Sequence, residues 1–476
     1  MTLRFLPLTL VILVCLFATA AHAAPPNGKP NIVFLLADDL GYGDLGCYGQ
    51  QKIHTPHLDK MASEGLKFTN FYSGNNVCAT SRCALMTGLH TGHGEIRDNR
   101  EAKPEGQFPL SENAVLIPQL LKKSGYATGA FGKWGLGPVG STGDPNKHGF
   151  DLFYGYNCQR QAHNYYPAYL YRNEKQEVLE GNDGKSATGK VYSHDLVEAE
   201  AIKFIDAHRN EPFFLYVPFT IPHVALQVPE DSLAEYVGQW EDPPYEGKNG
   251  YLPHKTPRAA YAAMITRMDR TVGRILDRLK ELKLDENTIV MFSSDNGAVY
   301  APVGGADPEF FNSTGSLRGF KGGMYEGGLR VPCIARWPGK IKANTSSDLP
   351  AVFYDLLPTY CELSGATSPK EIDGVSILPT LLGQTEKQTK HEYLYWESPG
   401  YGGQQGIRMG DWKGVRMMLN KGPSPLQLFN LKDDPSEKHD VAKEHPEIVA
   451  KLESISKNAR IPSETFPLKG LDVPGK

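Results

Sequence analysis

Residues 31–44 read NIVFLLADDLGYGD, and residues 288–298 read TIVMFSSDNGA. Each is an apolar run that stops at a polar pair, Asp38-Asp39 in the first and Asp295-Asn296 in the second. Unbroken apolar residues, rather than alternating ones, indicate strands covered on both faces, as in a parallel sheet. FFLYVPFTIPH (213–223) is a third such run and ends at His223. YATGAFGKW (126–134) is a weaker fourth and ends near Lys133. Between the runs at 213–223 and 288–298, residues 259–282 place Met264, Met268, Val272, Ile275, Leu279 and Leu282 at helical steps. Strand–helix–strand alternation predicts an α/β sandwich.

In such sheets ligands collect outside the carboxyl ends of the strands. Here those ends offer Asp38-Asp39, Lys133, His223 and Asp295-Asn296. Three carboxylates and an amide are hard oxygen donors, suited to Ca²⁺ or Mg²⁺ rather than zinc. His90 and His93, in LHTGH, have no third ligand nearby in sequence and read as surface or structural histidines.

A second stretch, NNVCATSRCALMTG (75–88), reads as the start of a helix, with Thr80 or Ser81 as its cap. Cys78 would then lie just ahead of the helix amino end, where free N–H groups favour negative charge, and Arg82 would project from the first turn. The alternative is a buried structural cysteine. Cys78 and Cys83 are poorly spaced for a disulfide if both are helical.

The segment CATSRCALMTG resembles the signature of the type I sulfatases: Cys-x-(Pro/Ala)-x-Arg, an apolar pair and Thr-Gly. The likeness continues in order through PNIVFLLADDLGYGDLGCYG, FGKWGLG, IPHVAL, FSSDNGA and GFKGGMYEGGLRVP. It extends to IRMGDWKGVR and LQLFNLKDDPSEKHDVA, covering about residues 30 to 456. The resemblance implies the alkaline-phosphatase fold, a mixed sheet sandwiched by helices with a smaller C-terminal α+β subdomain. It implies that Cys78 is oxidised to formylglycine (3-oxoalanine) by a separate maturation enzyme. It also implies that Asp38, Asp39, Asp295, Asn296 and the modified Cys78 hold one Ca²⁺. Arg82, Lys133, His223 and Lys321 would surround the sulfate. In the implied mechanism one hydroxyl of the hydrated aldehyde attacks sulfur, His223 protonates the leaving alcohol, and the second hydroxyl expels sulfate.

Two positions depart from the family pattern. Thr80 stands where Pro or Ala is usual, at a site read by the maturation enzyme. Gly135 stands where Gly-Lys-Trp-His-Leu carries a histidine. His163, in CQRQAHNYY, is a candidate replacement base, with a satisfied loop histidine as the alternative. The aromatic loop 150–172 either shapes a sugar pocket or wedges itself onto the sheet.

The chain has 476 residues, a net charge of −4 and no basic run, which argues against a nucleic-acid partner. Residues 1–23 read as a secretory signal: an early Arg4, an apolar run too short for a span, and Ala21-His22-Ala23 as the cleavage site. The expected organisation is a signal (1–23), a catalytic domain (24–383) and a C-terminal subdomain of antiparallel strands plus a helix (384–476). The expected mature protein is periplasmic or secreted, with no membrane span. Its Pro-rich tail reads as loose. The expected substrate is a sulfated saccharide, with a galactose-type sulfate as the specific reading. A phosphatase or phosphodiesterase of the same fold and a non-catalytic glycan-binding protein remain as alternatives.

Overall fold

The computed structural model describes residues 28–103, 105–248 and 250–472. The proposed signal segment lies outside them. Among the described residues no helix is long and apolar enough to cross a membrane.

A ten-stranded mixed sheet forms the centre. Its middle is parallel: Thr288–Ser294, Asn31–Asp38, Phe213–Pro222, Ala127–Lys133 and Leu152–Tyr156 lie side by side in that order. Antiparallel pairs extend both flanks, through Cys333–Arg336 on one side and Tyr169–Arg172 on the other. The four apolar runs are therefore neighbours, and all eight residues of Asn31–Asp38 are buried.

Side chains alternate across this strand. Val33 and Leu35 join one apolar core, with Met264, Met268 and Val272 of the helix Pro257–Glu281. Ile32, Phe34 and Leu36 join a second, with Leu85 and Met86 of the helix Cys78–Thr87 and Leu357 of Leu356–Ser364. Because the central strands run parallel, their carboxyl ends fall on one rim, where ligands collect in such sheets.

The helix bearing Cys78 starts earlier than its sequence suggests. It spans Cys78–Thr87, with Val77 at the cap position and no side-chain cap. The hydroxyls expected to cap it are committed elsewhere: Thr80 Oγ1 donates to the Val77 carbonyl (2.8 Å), and Ser81 Oγ accepts from the Gly74 N–H (3.0 Å). Cys78 thus occupies the first helical turn itself. All six cysteines among the described residues are free.

Toward the C-terminus, Leu394–Ser398, Gln404–Met409, Trp412–Arg416 and Gln427–Asn430 form a four-stranded antiparallel sheet. The helix Pro446–Asn458 packs on it through Leu452. Trp396, Val415 and Phe429 carry this sheet onto Tyr72, Ala84 and Leu329 of the larger unit. The Pro-rich tail is tied down, contrary to expectation. Phe466 enters the second core, Leu468 is fully buried, and the Ile461 N–H reaches the Gly92 carbonyl at 3.0 Å. Its apolar residues outweigh the looseness that its prolines imply.

Candidate active site

Consecutive residues of a strand face opposite ways, so Asp38 and Asp39 could not meet at one point if the strand ran straight on. Asp39 adopts φ 66°, a left-handed turn that Asp tolerates better than most residues. The turn swings both carboxylates to the same side. The neighbouring strand end is locked to it: the Asp295 N–H donates to the Ala37 carbonyl (3.0 Å), and the Asp39 N–H donates to Asp295 Oδ1 (3.2 Å).

The other residues singled out from sequence converge here. Cys78 Sγ is 3.5 Å from Asp38 Oδ1, and Lys133 Nζ is 2.5 Å from Asp38 Oδ2. Arg82 grips Asp295 Oδ2 through Nε (3.0 Å) and Nη2 (2.8 Å), and its Nη1 donates to the Lys133 carbonyl. Lys321 Nζ is 2.8 Å from the Asp39 carboxylate, and Asn296 Nδ2 donates to Asp39 Oδ1 at 2.7 Å. His223 Nε2 lies 3.5 Å from Asp39 Oδ2. Asp38, Asp39, Arg82, Asp295 and Asn296 are completely buried.

Burial makes each charge depend on its partners. It pushes Asp38 up, yet Lys133, His223, Arg82 and Lys321 prevail and hold that carboxyl far below the usual range. Asp295 is pushed up to about 6, by burial and then by the charge of Asp38, against the pull of Arg82. Burial, then Lys321 and Lys133, lower His223 well below an ordinary imidazole. Its Nδ1 pairs with the Val224 carbonyl, which makes Nδ1 the protonated nitrogen and leaves the Nε2 lone pair facing the site. Burial and then Asp295 raise the Cys78 thiol far above its normal value.

The oxygens of Asp38, Asp39 and Asn296 fit a hard divalent cation; one ligand atom from each of Asp38, Asp39, Cys78 and His223 falls within 4.8 Å of the others. Asn296 Oδ1 is buried with no hydrogen-bond donor among the described residues. An acceptor in that state calls for a donor or a cation.

His90 and His93 do acquire a third group, Asp373, from far along the chain. His93 Nδ1 pairs with Asp373 at 2.9 Å and His90 Nε2 lies 3.6 Å from it. However, the Gly92 N–H donates to His90 Nδ1 (3.1 Å), which fixes the proton on Nε2. That nitrogen has no lone pair to offer a metal and makes no hydrogen bond among the described residues; Asp373 instead holds His93 through its ring and His90 through its backbone N–H (2.9 Å).

Above Cys78 opens a cavity of about 270 Å³, lined by Lys133, His163, His223, Tyr251, Lys321 and Tyr401, among others. His163 stacks on His223, with centroids 4.6 Å apart and planes 14° from parallel. Burial, Lys133 and Lys321 lower its pKa to about 3. The aromatic loop mostly wedges itself in place, since Tyr154, Tyr156, Tyr165 and Tyr166 are buried in the core. What it sends into the cavity is polar: Gln159, Arg160 and His163. Asn99, Arg100, Gln107, Tyr251 and Tyr401 also reach the cavity and were not singled out from sequence. They share no motif or periodicity, and Tyr401 comes from the C-terminal unit.

The family model described as Sulfatase matches residues 30–366. This chain belongs to the sulfatase family. Residues 320–460 also match the model for the C-terminal part of N-sulphoglucosamine sulphohydrolase. The human N-acetylgalactosamine-6-sulfatase is 36% identical over 76% of this sulfatase and 67% of its own length. The N-acetylgalactosamine-6-O-sulfatase of Bacteroides thetaiotaomicron is 30% identical over 91% of this sulfatase and 93% of its own length. The crystal structure of Ps i-CgsB in complex with k-i-k-neocarrahexaose superposes with a TM-score of 0.76 at 30% identity, covering 90% of this chain and 93% of that one. The enzyme is therefore a sulfuric ester hydrolase with the alkaline-phosphatase-like fold, which sets aside the non-catalytic reading.

Proposed function

We propose that this sulfatase is an exported enzyme that removes a sulfate from a galactose-type sugar, using formylglycine at position 78 and one calcium ion. The observation that carries the reading is the cavity lined by Cys78, Lys133, His223 and Lys321, with Arg82 buried behind them against Asp295. The galactose preference is supported by the names of the human and Bacteroides relatives. A catalytic domain over 24–383, a subdomain over 384–476 and cleavage after Ala23 remain part of the proposal.

Charge arithmetic favours this assignment. Asp38, Asp39 and Asp295 face Arg82, Lys133 and Lys321, three negative groups against three positive. Balanced in this way, the site offers a sulfate monoester little net attraction. A calcium ion held by Asp38, Asp39, Asp295, Asn296 and residue 78 would supply a surplus positive charge and acidify a hydroxyl at residue 78. Chelation is expected to lower kcat/KM by roughly a hundredfold or more, with recovery on adding Ca²⁺. Retained activity after exhaustive chelation, checked by elemental analysis, would contradict this.

Oxidation of Cys78 by the maturation enzyme would supply, after hydration, two hydroxyls on one carbon: one to accept the sulfuryl group, the other to release it. Lys133 and Lys321 flank the anion and hold it in line. Arg82, braced by Asp295, fixes the helix start that carries residue 78 and adds positive charge behind it. His223 exchanges a proton with the leaving oxygen at Nε2, its Nδ1–H pinned by Val224. Bound sulfate offsets Lys133 and Lys321, the charges that together with burial depress this imidazole. His223→Ala is expected to lower kcat by about 10²–10⁴-fold. His163→Ala, which removes a ring stacked behind His223, is expected to cost less than about tenfold. Equal losses in the two variants would make His163 part of the chemistry.

The saccharide reading is tested with a panel of defined sugars. N-acetylgalactosamine 6-sulfate or galactose 6-sulfate should be cleaved at least about tenfold faster than N-acetylglucosamine 6-sulfate, a difference of about 1.4 kcal/mol in transition-state binding. A preference for the glucosamine sugar would overturn the galactose assignment without touching sulfatase activity. Release of phosphate in excess of sulfate would favour the phosphatase alternative.

A further inference from the structure

We propose that Gln159 is a substrate-binding residue whose side-chain amide donates a hydrogen bond to the sulfuryl group above residue 78; this rests on the sulfate site described above. Gly135 is the departure from Gly-Lys-Trp-His-Leu. Gly135 has φ +89°, a left-handed conformation that favours glycine. A Cβ there would lie 3.1 Å from Arg82 Cδ, 3.3 Å from Gln159 Nε2 and 3.7 Å from Gln107 Nε2. Two glutamine amides thus converge on the ground that a side chain at 135 would take.

The two amides are not equivalent. Gln107 is fully engaged: its Oε1 accepts from the Gln159 N–H at 3.0 Å, and its Nε2 donates to the Gly135 carbonyl. It clamps the loop bearing Gln159 onto the turn at Gly135. Gln159 Nε2, by contrast, is buried and has no acceptor among the described residues. A buried donor without an acceptor is costly to maintain. It lines the same cavity as Cys78, Lys133, His223 and Lys321. On the far side of the same space lies Arg82, its Cδ 3.1 Å from the Cβ position at Gly135 and its guanidinium another donor. An anion with oxygens on its near side supplies the missing acceptor. A neutral amide fixes such an oxygen by direction without adding charge, and it does not titrate over the working range.

The test measures binding of inorganic sulfate to the calcium-loaded, matured enzyme by calorimetry, alongside kcat/KM on a cleaved sugar sulfate. Q159L, which keeps bulk and removes the donor, should weaken sulfate about tenfold, with an unchanged melting temperature. Q159E, nearly the same shape but an acceptor and an anion, should weaken it further. An added carboxylate repels sulfate whether or not Gln159 donates, so the uncharged Q159M decides the matter if Q159L proves unstable. Sulfate affinity of stable Q159L, or of Q159M in its place, within twofold of wild type would mean the donor is idle and overturn the proposal, as would a wild type that binds no sulfate. A wild type that binds sulfate in a Gln159-dependent way yet cleaves no sugar sulfate would leave this assignment standing and sink the saccharide reading instead.

Discussion

Cys78→Ala is expected to lower sulfate release by a factor on the order of 10⁴ or more while leaving the fold intact. The side chain is small, buried and at the first turn of Cys78–Thr87, and among the described residues its sulfur contacts one hydrogen-bonding group, Asp38. Alanine removes the reacting group and little packing. Cys78→Ser separates the steps. A serine hydroxyl in the same place can accept a sulfuryl group but has no second hydroxyl to expel it. The Ser variant should therefore release at most one equivalent of alcohol and then stop, with the sulfate ester visible on the peptide by mass spectrometry. Steady turnover by the Ser variant would mean that a plain hydroxyl suffices and that water, not a second hydroxyl on residue 78, releases sulfate.

The second large effect is on stability, at the join of the two units. Lys413 is fully buried between Glu326 Oε1 (2.7 Å) and Glu437 Oε1 (3.1 Å). Glu326 also holds Arg330 and the Tyr72 hydroxyl, and its N–H donates to Glu437 Oε2 at 2.6 Å. Burial raises Glu437 even with Lys413 beside it. Lys413→Met removes the ammonium that both carboxylates share, and should cost about 3–5 kcal/mol, the usual penalty for leaving a buried charge unpaired. The urea midpoint should fall with little change in slope. Pairing it with Glu437→Met should recover much of the loss, because both charges are then gone and Arg330 still serves Glu326. A loss under 1 kcal/mol in the single variant would show that Arg330 alone satisfies the cluster. Glu326 lies five residues after Lys321, so this cluster also steadies the stretch that brings Lys321 to Asp39.

The parallel centre of the sheet was legible because burial on both faces leaves a mark that survives in one dimension: unbroken apolar runs ending in Asp-Asp, Lys, His and Asp-Asn. The convergence of those ends follows from the sheet itself. The left-handed turn at Asp39 that lets adjacent carboxylates share a point leaves no such mark, because Asp is common in turns. The helix start at Cys78 was misjudged for a local reason. Thr80 and Ser81 look like caps, but their hydroxyls bond to Val77 and Gly74. The tail misled in the same way, since its prolines are visible in sequence and the pockets for Phe466 and Leu468 are not. Gln159 sat in a loop already of interest for His163. Its unpaired buried amide and the space beside Gly135, both invisible in one dimension, distinguish it from any other polar loop residue.

The central claim is that residue 78, as an oxidised side chain beside a calcium ion, receives the sulfuryl group. The most direct measurement plots the rate of sulfate release, across calcium-loaded preparations matured to different extents, against the fraction of residue 78 carrying the aldehyde by peptide mass spectrometry. The account predicts a straight line through the origin, with Thr80 no bar to conversion in the native host. Full activity in a preparation whose residue 78 is thiol throughout would contradict it.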